Sequence, residues 1–156
     1  MSRAILNPWA KMSLALSDLR ADLDAWCRSY VTAFESYDAE AIAAHWTFPA
    51  LTTQVGRSFT FKNAEHFAKN TGLLLGFYKA QKVACVERSV AEHLPMSPGA
   101  VSMTVQDRML DADGNEIAAW KAAYILQNVD GAWKAVAAVA DGEVDAWAAR
   151  GTPLGG

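Results

Sequence analysis

Apolar residues recur at helical spacing from Leu19 onward: Leu23, Trp26, Cys27, Tyr30, Val31 and Phe34 share one stripe, while Arg20, Asp22, Asp24 and Glu35 fall off it. That spacing predicts an amphipathic helix of about five turns. Ser17 stands where an N-cap would, with Asp18 in the first turn near the positive end of the helix dipole. Residues 1–16, with Pro8, Trp9 and Leu14, leave room for a short preceding helical turn. Asp38 reads as the N-cap of a second, short helix over Ala39–Trp46, ended by Pro49.

The pattern changes after Pro49. Ala50–Gln54 and Ser58–Phe61 are short β-type runs flanking Val55-Gly56-Arg57, a compact hairpin signal. Asn63 can cap a third helix running to about Tyr78, with Phe67, Thr71, Leu74, Leu75 and Tyr78 as its apolar stripe. The second half then reads as strands. Lys82–Leu94 alternates loosely and stops at the turn-rich Pro95–Gly99, and Val101–Leu110 alternates cleanly, with Val101, Met103, Val105 and Met109 on one face. Glu116–Gln127 and Trp133–Ala140 follow, each preceded by an Asp-Gly turn. Helices first and a meander of strands after them predict an α+β class and one domain over residues 1–156, with its core at about 18–141.

Composition narrows the function. Fourteen basic residues against seventeen acidic ones give a net charge of −3 without a basic run, which argues against nucleic acid as a partner. No apolar stretch approaches the 18 residues of a membrane span, and the first residues lack the apolar centre of a secretory signal, so the chain reads as a soluble cytoplasmic domain. The two cysteines, Cys27 and Cys85, fit neither a disulfide framework nor a zinc spacing and read as small buried hydrophobes. His45, His66 and His93 are scattered over separate elements, and the Gly of Asp111–Asn115 is misplaced for a calcium loop. No metal and no cofactor is expected.

The segment Tyr37-Asp38-Ala39-Glu40-Ala41-Ile42-Ala43-Ala44-His45-Trp46, set within this element order over residues 18–141, resembles the NTF2-like superfamily, which includes SnoaL-like cyclases and ketosteroid isomerase. The resemblance implies a curved antiparallel sheet wrapped around the long N-terminal helix and two shorter helices, forming a cone with an apolar pocket at one end. In ketosteroid isomerases that pocket carries a general-base Asp, a Tyr donor and a protonated Asp. Alignment on Asp38 puts Tyr30 at the Tyr position and Gln54 at the base position; alignment on Asp130-Gly131 puts Ala123 at the protonated Asp. Gln54 has no titratable proton, so steroid-isomerase chemistry is not expected. Epoxide-hydrolase-like relatives need inward Asp-Arg-Asp, whereas Asp107 and Arg108 are strand neighbours and face opposite ways.

The pocket is accordingly expected to be lined by Trp26, Tyr30, Phe34, Gln54, Phe67, Asn70 and Ala123 and to measure roughly a few hundred Å³. Candidate chemical groups are Tyr30, His66 and Lys121. Lys121 either faces the pocket, where burial would depress its pKa, or is turned outward by a one-residue bulge that sends Trp120 and Tyr124 inward. His45 is placed to bond the last carbonyls of the short helix, and His93 reads as a turn residue. The reading is a domain binding a small apolar molecule. Its alternatives are a SnoaL-type isomerase, dehydratase or cyclase and a dimeric interaction module. With Lys121 inward, Trp120, Tyr124, Trp133 and Val139 would form an outer apolar face covered by a homodimer partner or by residues 1–16.

Overall fold

The computed structural model describes the backbone of residues 8–154 and the side chains of residues 18–154. The chain is α+β, with a curved, unclosed six-stranded sheet and its helices on the concave side. The order of elements is α1 Pro8–Glu35, α2 Ala39–Ala43, β1 Trp46–Gln54, β2 Arg57–Phe61, α3 Ala64–Ala80, β3 Cys85–Ser97, β4 Ala100–Leu110, β5 Glu116–Val129, β6 Ala132–Val139 and α4 Asp141–Ala149.

The stripe of α1 is buried, with Leu23 at 0% exposure and Trp26, Cys27 and Tyr30 packed beside it. The helix begins at Pro8, so Ser17 lies inside it rather than capping it. Proline suits a first helical turn because the N–H it lacks has no intrahelical partner there. The side chains of Trp9 and Leu14, offered above as a cover for the outer face, lie outside the described side chains. Asp38 caps α2, accepting from Ala41 N at 3.0 Å, and Asn63 caps α3, accepting from His66 N at 2.9 Å. The second helix is shorter than its pattern suggested: it stops at Ala43, Trp46 already opens β1, and Pro49 sits within that strand. Likewise β3 continues through Pro95 to Ser97. It is the edge strand of the sheet, where an N–H can be spared.

The sheet runs β2-β1-β6-β5-β4-β3 and is mixed. The expected antiparallel sheet is corrected at one joint: β1 pairs with β6 in parallel, with Leu51 opposite Ala137 and Thr53 opposite Val139. From Ala118 to Leu126 the strand β5 buries every second residue, so Trp120, Ala122 and Tyr124 face the concave side. Lys121 is exposed and Ala123 lies on the outer face beside it. The ladder holds bulges between Met109 and Leu110 and between Ile125 and Leu126, so counting back from the last turn gives the wrong face for β5. Physically, two large aromatics are worth far more buried than one ammonium, which solvation keeps outside. Trp133 also turns inward, its Nε1 donating to Asp22 of α1 at 3.3 Å. The aromatic patch that was to drive a homodimer is therefore not on the outer face. That face carries Ser102, Thr104, Lys121 and Ala123, with Ile125 as an exposed apolar residue.

Helix α4 was not foreseen. It lies on β5, with Glu143 and Trp147 buried at 8% and 0%. Trp147 packs against the rings of Phe77 at 5.0 Å and Trp120 at 5.8 Å. The approach is close enough that a Cβ on Gly142 would stand 2.5 Å from the Lys121 carbonyl oxygen, so only glycine fits there. Asp141 accepts from Val55 N at 3.0 Å, tying α4 to the β1–β2 turn.

Candidate functional site

The concave side of the sheet, α1, α3 and the start of α4 enclose a cavity of about 110 Å³. Its apolar walls include Tyr30, Val31 and Phe34 from α1, Trp46 from β1, Phe67 and Leu74 from α3, and Val86, Met109 and Trp120 from the sheet. Asn70 and Val139 are the solvent-exposed lining residues and mark its mouth. The volume is smaller than the few hundred Å³ expected. An apolar cavity of about 150 Å³ accommodates benzene, so this one has room for about one ring.

Polar groups meet in two places on these walls. In the first, Arg88 of β3 stands directly opposite Asp107 of β4 in the ladder. Arg88 Nε and Nη2 donate to the two Asp107 carboxylate oxygens at 2.7 and 2.8 Å, and Nη2 also donates to Tyr124 Oη at 2.9 Å. The two charged side chains keep only 6% and 2% of their area exposed. The Arg88 guanidinium carbon lies 4.9 Å from the centroid of the Tyr30 ring and 5.0 Å from that of Tyr124. Burial would lower the Arg88 pKa, but Asp107 and the two tyrosines hold it well above the ordinary value, so the pair stays ionised. Burial pushes the Tyr30 and Tyr124 phenols up, keeping both protonated. Tyr30 Oη accepts from Trp46 Nε1 at 3.0 Å.

The second place is Glu143. Tyr78 Oη donates to its Oε2, as does Trp147 Nε1 at 3.2 Å. Burial lifts this carboxyl to about 7 against the two hydrogen bonds that favour its ionised form. Asp107 raises it further and Arg88 lowers it, so the two polar groups sense each other across the cavity. A carboxyl that titrates near neutrality in an apolar pocket can hold or release a proton there.

Of the candidates read from the sequence, Tyr30, Phe34, Gln54, Phe67 and Asn70 line the cavity. Trp26 stands behind it, stacked on Tyr30 at 4.8 Å between ring centroids. Ala123 is replaced on the wall by Ala122, one consequence of the β5 register. Lys121 is outside, and so is His66, which is exposed on α3 against Phe61. Neither meets Tyr30. His45 donates from Nδ1 to Ala41 O and accepts at Nε2 from Ser29 Oγ, both at 2.7 Å, on the surface of α1 and α2. Burial holds the Cys27 thiol at about 11, which leaves it inert.

Arg88, Asp107, Tyr124, Tyr78 and Glu143 went unassigned in the sequence reading. Asp107 and Arg108 do face opposite ways, Arg108 pairing outside with Glu87 at 2.6 Å. The inward Asp107 nevertheless finds an arginine on the neighbouring strand. The cavity therefore holds two carboxylates although Gln54 and Ala122 supply none. Among the described residues, no three metal-ligating side chains converge, and no helix is long and apolar enough to cross a membrane.

A half-open cone of this kind, with a ring-sized cavity between the long helix and a curved sheet, defines the NTF2-like class. The chain belongs to it: the family model described as NTF2-like protein (DUF6841) matches residues 21–143. Among solved structures it is similar to an NTF2-like protein with a cystatin-like fold from Novosphingobium aromaticivorans, at 16% identity over 88% of this chain and 90% of that one, with a TM-score of 0.63. An NTF-2 like protein of unknown function from Shewanella oneidensis matches at 9% identity over 76% and 95%, TM-score 0.61. A ketosteroid isomerase-like protein from Erwinia carotovora atroseptica matches at 19% identity over 77% and 92%, TM-score 0.57. At such identities the likeness carries the fold and no chemistry. No curated protein matches the sequence at a significant level.

Proposed function

We propose that the cavity binds a small, mostly apolar molecule of about one ring, held at its polar end by the groups described above. The observation that supports this reading is the combination of aromatic and aliphatic walls with a few convergent polar side chains, Arg88, Tyr124 and Glu143, which is how small-molecule sites are built. Trp46 and Trp120 are on the wall, so single-ring compounds should change tryptophan emission in a saturable way. Ala138→Phe, which fills the cavity from β6, should abolish the response while leaving the circular dichroism unchanged. A response that is absent in the parent protein, or untouched by Ala138→Phe in a folded variant, sinks the reading.

A second reading, proton transfer on the bound molecule, is favoured by Glu143. It replaces the sequence-based choice of His66 or Lys121 as the partner of Tyr30, because both of those lie outside the cavity. General acid–base assistance is typically worth about 10² to 10⁴ in rate. Exchange of solvent deuterium into the acidic C–H positions of a bound ring ketone, followed by NMR, should exceed the buffer rate by a factor in that range. The excess should vanish in Glu143→Gln. Exchange at the buffer rate in the parent protein leaves binding without chemistry.

A further inference from the structure

A guanidinium carries five N–H groups, and a buried one has to place them all. In Arg88, Nε and Nη2 are used by Asp107 and Tyr124. The third nitrogen, Nη1, is sealed from solvent and has no hydrogen-bond partner among the described residues. Orphaned buried donors are rare in native proteins. The side chain is 94% buried by its 6% exposure and forms part of the cavity wall. The bidentate ion pair and the two tyrosine rings beside it leave the guanidinium no freedom to turn toward another partner. A donor is thus held in place at the wall of an otherwise apolar cavity.

The charge around it decides what it can hold. Asp107 neutralises Arg88 within the same pair, and the remaining ionisable group on the wall, Glu143, is acidic. The wall therefore offers N–H donors without net positive charge, which disfavours an anion and suits an uncharged acceptor oxygen. We infer that Arg88 Nη1 is a ligand-holding donor for a neutral carbonyl oxygen, so that the molecule taken up is a small cyclic or aryl ketone, aldehyde or lactone rather than a carboxylate or a hydrocarbon. The inference rests on the cavity reading of the previous subsection and adds to it the class of ligand.

Calorimetric titration with three probes tests it: acetophenone, α-methylstyrene, which has the same shape with a methylene in place of the oxygen, and benzoate. In the parent protein acetophenone should bind at least tenfold more tightly than α-methylstyrene, and benzoate no more tightly than acetophenone. Arg88→Lys keeps the charge opposite Asp107 but has no third nitrogen. In it the gap between the first two probes should close to within threefold, with α-methylstyrene unaffected. Equal binding of acetophenone and α-methylstyrene by the parent overturns the donor and leaves the cavity reading standing; that comparison needs no variant, so it decides even if Arg88→Lys fails to fold. Benzoate as the tightest probe overturns the neutral-ligand assignment, and an undiminished gap in folded Arg88→Lys removes Arg88 from the role. Binding of none of the probes overturns the cavity reading together with this inference.

Discussion

Asp107→Leu is expected to lower the unfolding free energy by about 3–5 kcal/mol, and Arg88→Met added to it to restore most of the loss. Each of these ions surrenders its hydration, with 6% and 2% of the side chains left exposed. Two short hydrogen bonds at 2.7 and 2.8 Å, made possible because the residues face each other in the β3–β4 ladder, offset that cost. With the carboxylate gone, the guanidinium keeps only Tyr124 Oη as an acceptor and stands as an uncompensated charge between two rings. Removing both charges replaces the pair with apolar volume, which buried sites tolerate well. For a chain of this length the single substitution corresponds to roughly 10 °C in melting temperature. Thermal unfolding of the two single variants and the double variant checks this. A single-variant loss below about 1 kcal/mol, or a double variant as unstable as Asp107→Leu, would show that the buried pair is not what the fold depends on. The expected recovery also bears on function, because a pair that stability does not require is kept for what it does to the cavity.

Much of this architecture is written locally in the chain. The α1 stripe, the Asp38 and Asn63 caps and the alternation of β4 each depend on neighbours within a few residues, and each appears where the pattern put it. Asp107 was legible too: it occupies an inward position between Val105 and Met109, and a charge in an apolar register is a sign of pairing. Its partner was not legible, since Arg88 lies on a loosely alternating edge strand and becomes its neighbour only through the register set across Pro98-Gly99. The face of β5 was lost to bulges that sequence counting does not see. The parallel joint of β1 to β6 unites the start and end of the sheet, so no local pattern announces it. Helix α4 has nine residues and a short apolar stripe, and what fixes it is packing against Trp120, Phe77 and the bare Cα of Gly142. Half of the polar equipment of the cavity arrives with that helix.

Glu143→Gln is expected to stabilise the protein above neutral pH and to leave it nearly unchanged in acid. The carboxyl titrates at about 7 in the folded protein, raised by burial from 4.5. Between those values the folded state holds a proton that the unfolded chain releases, so the stability contributed by the protonated carboxyl is complete below about pH 4.5 and is lost as pH rises through 7. Above pH 7 the parent protein carries a charge among Tyr78, Trp147 and the apolar wall, with Asp107 repelling it and Arg88 only partly offsetting that repulsion. Glutamine stays neutral throughout and keeps an oxygen for the Tyr78 and Trp147 donors. The shift corresponds to roughly 3 kcal/mol in favour of the variant at alkaline pH, or about 10 °C in melting temperature. The measurement is a pair of melting curves at intervals from pH 4 to pH 9, in which the difference between variant and parent should open across the interval from 4.5 to 7 and then level off. Parallel profiles would mean that Glu143 titrates like an exposed carboxylate, and would remove the group on which proton transfer in the cavity depends. If the difference opens as expected, its midpoint fixes the pH at which deuterium exchange into a bound ketone should pass from slow to fast, because the same proton governs both.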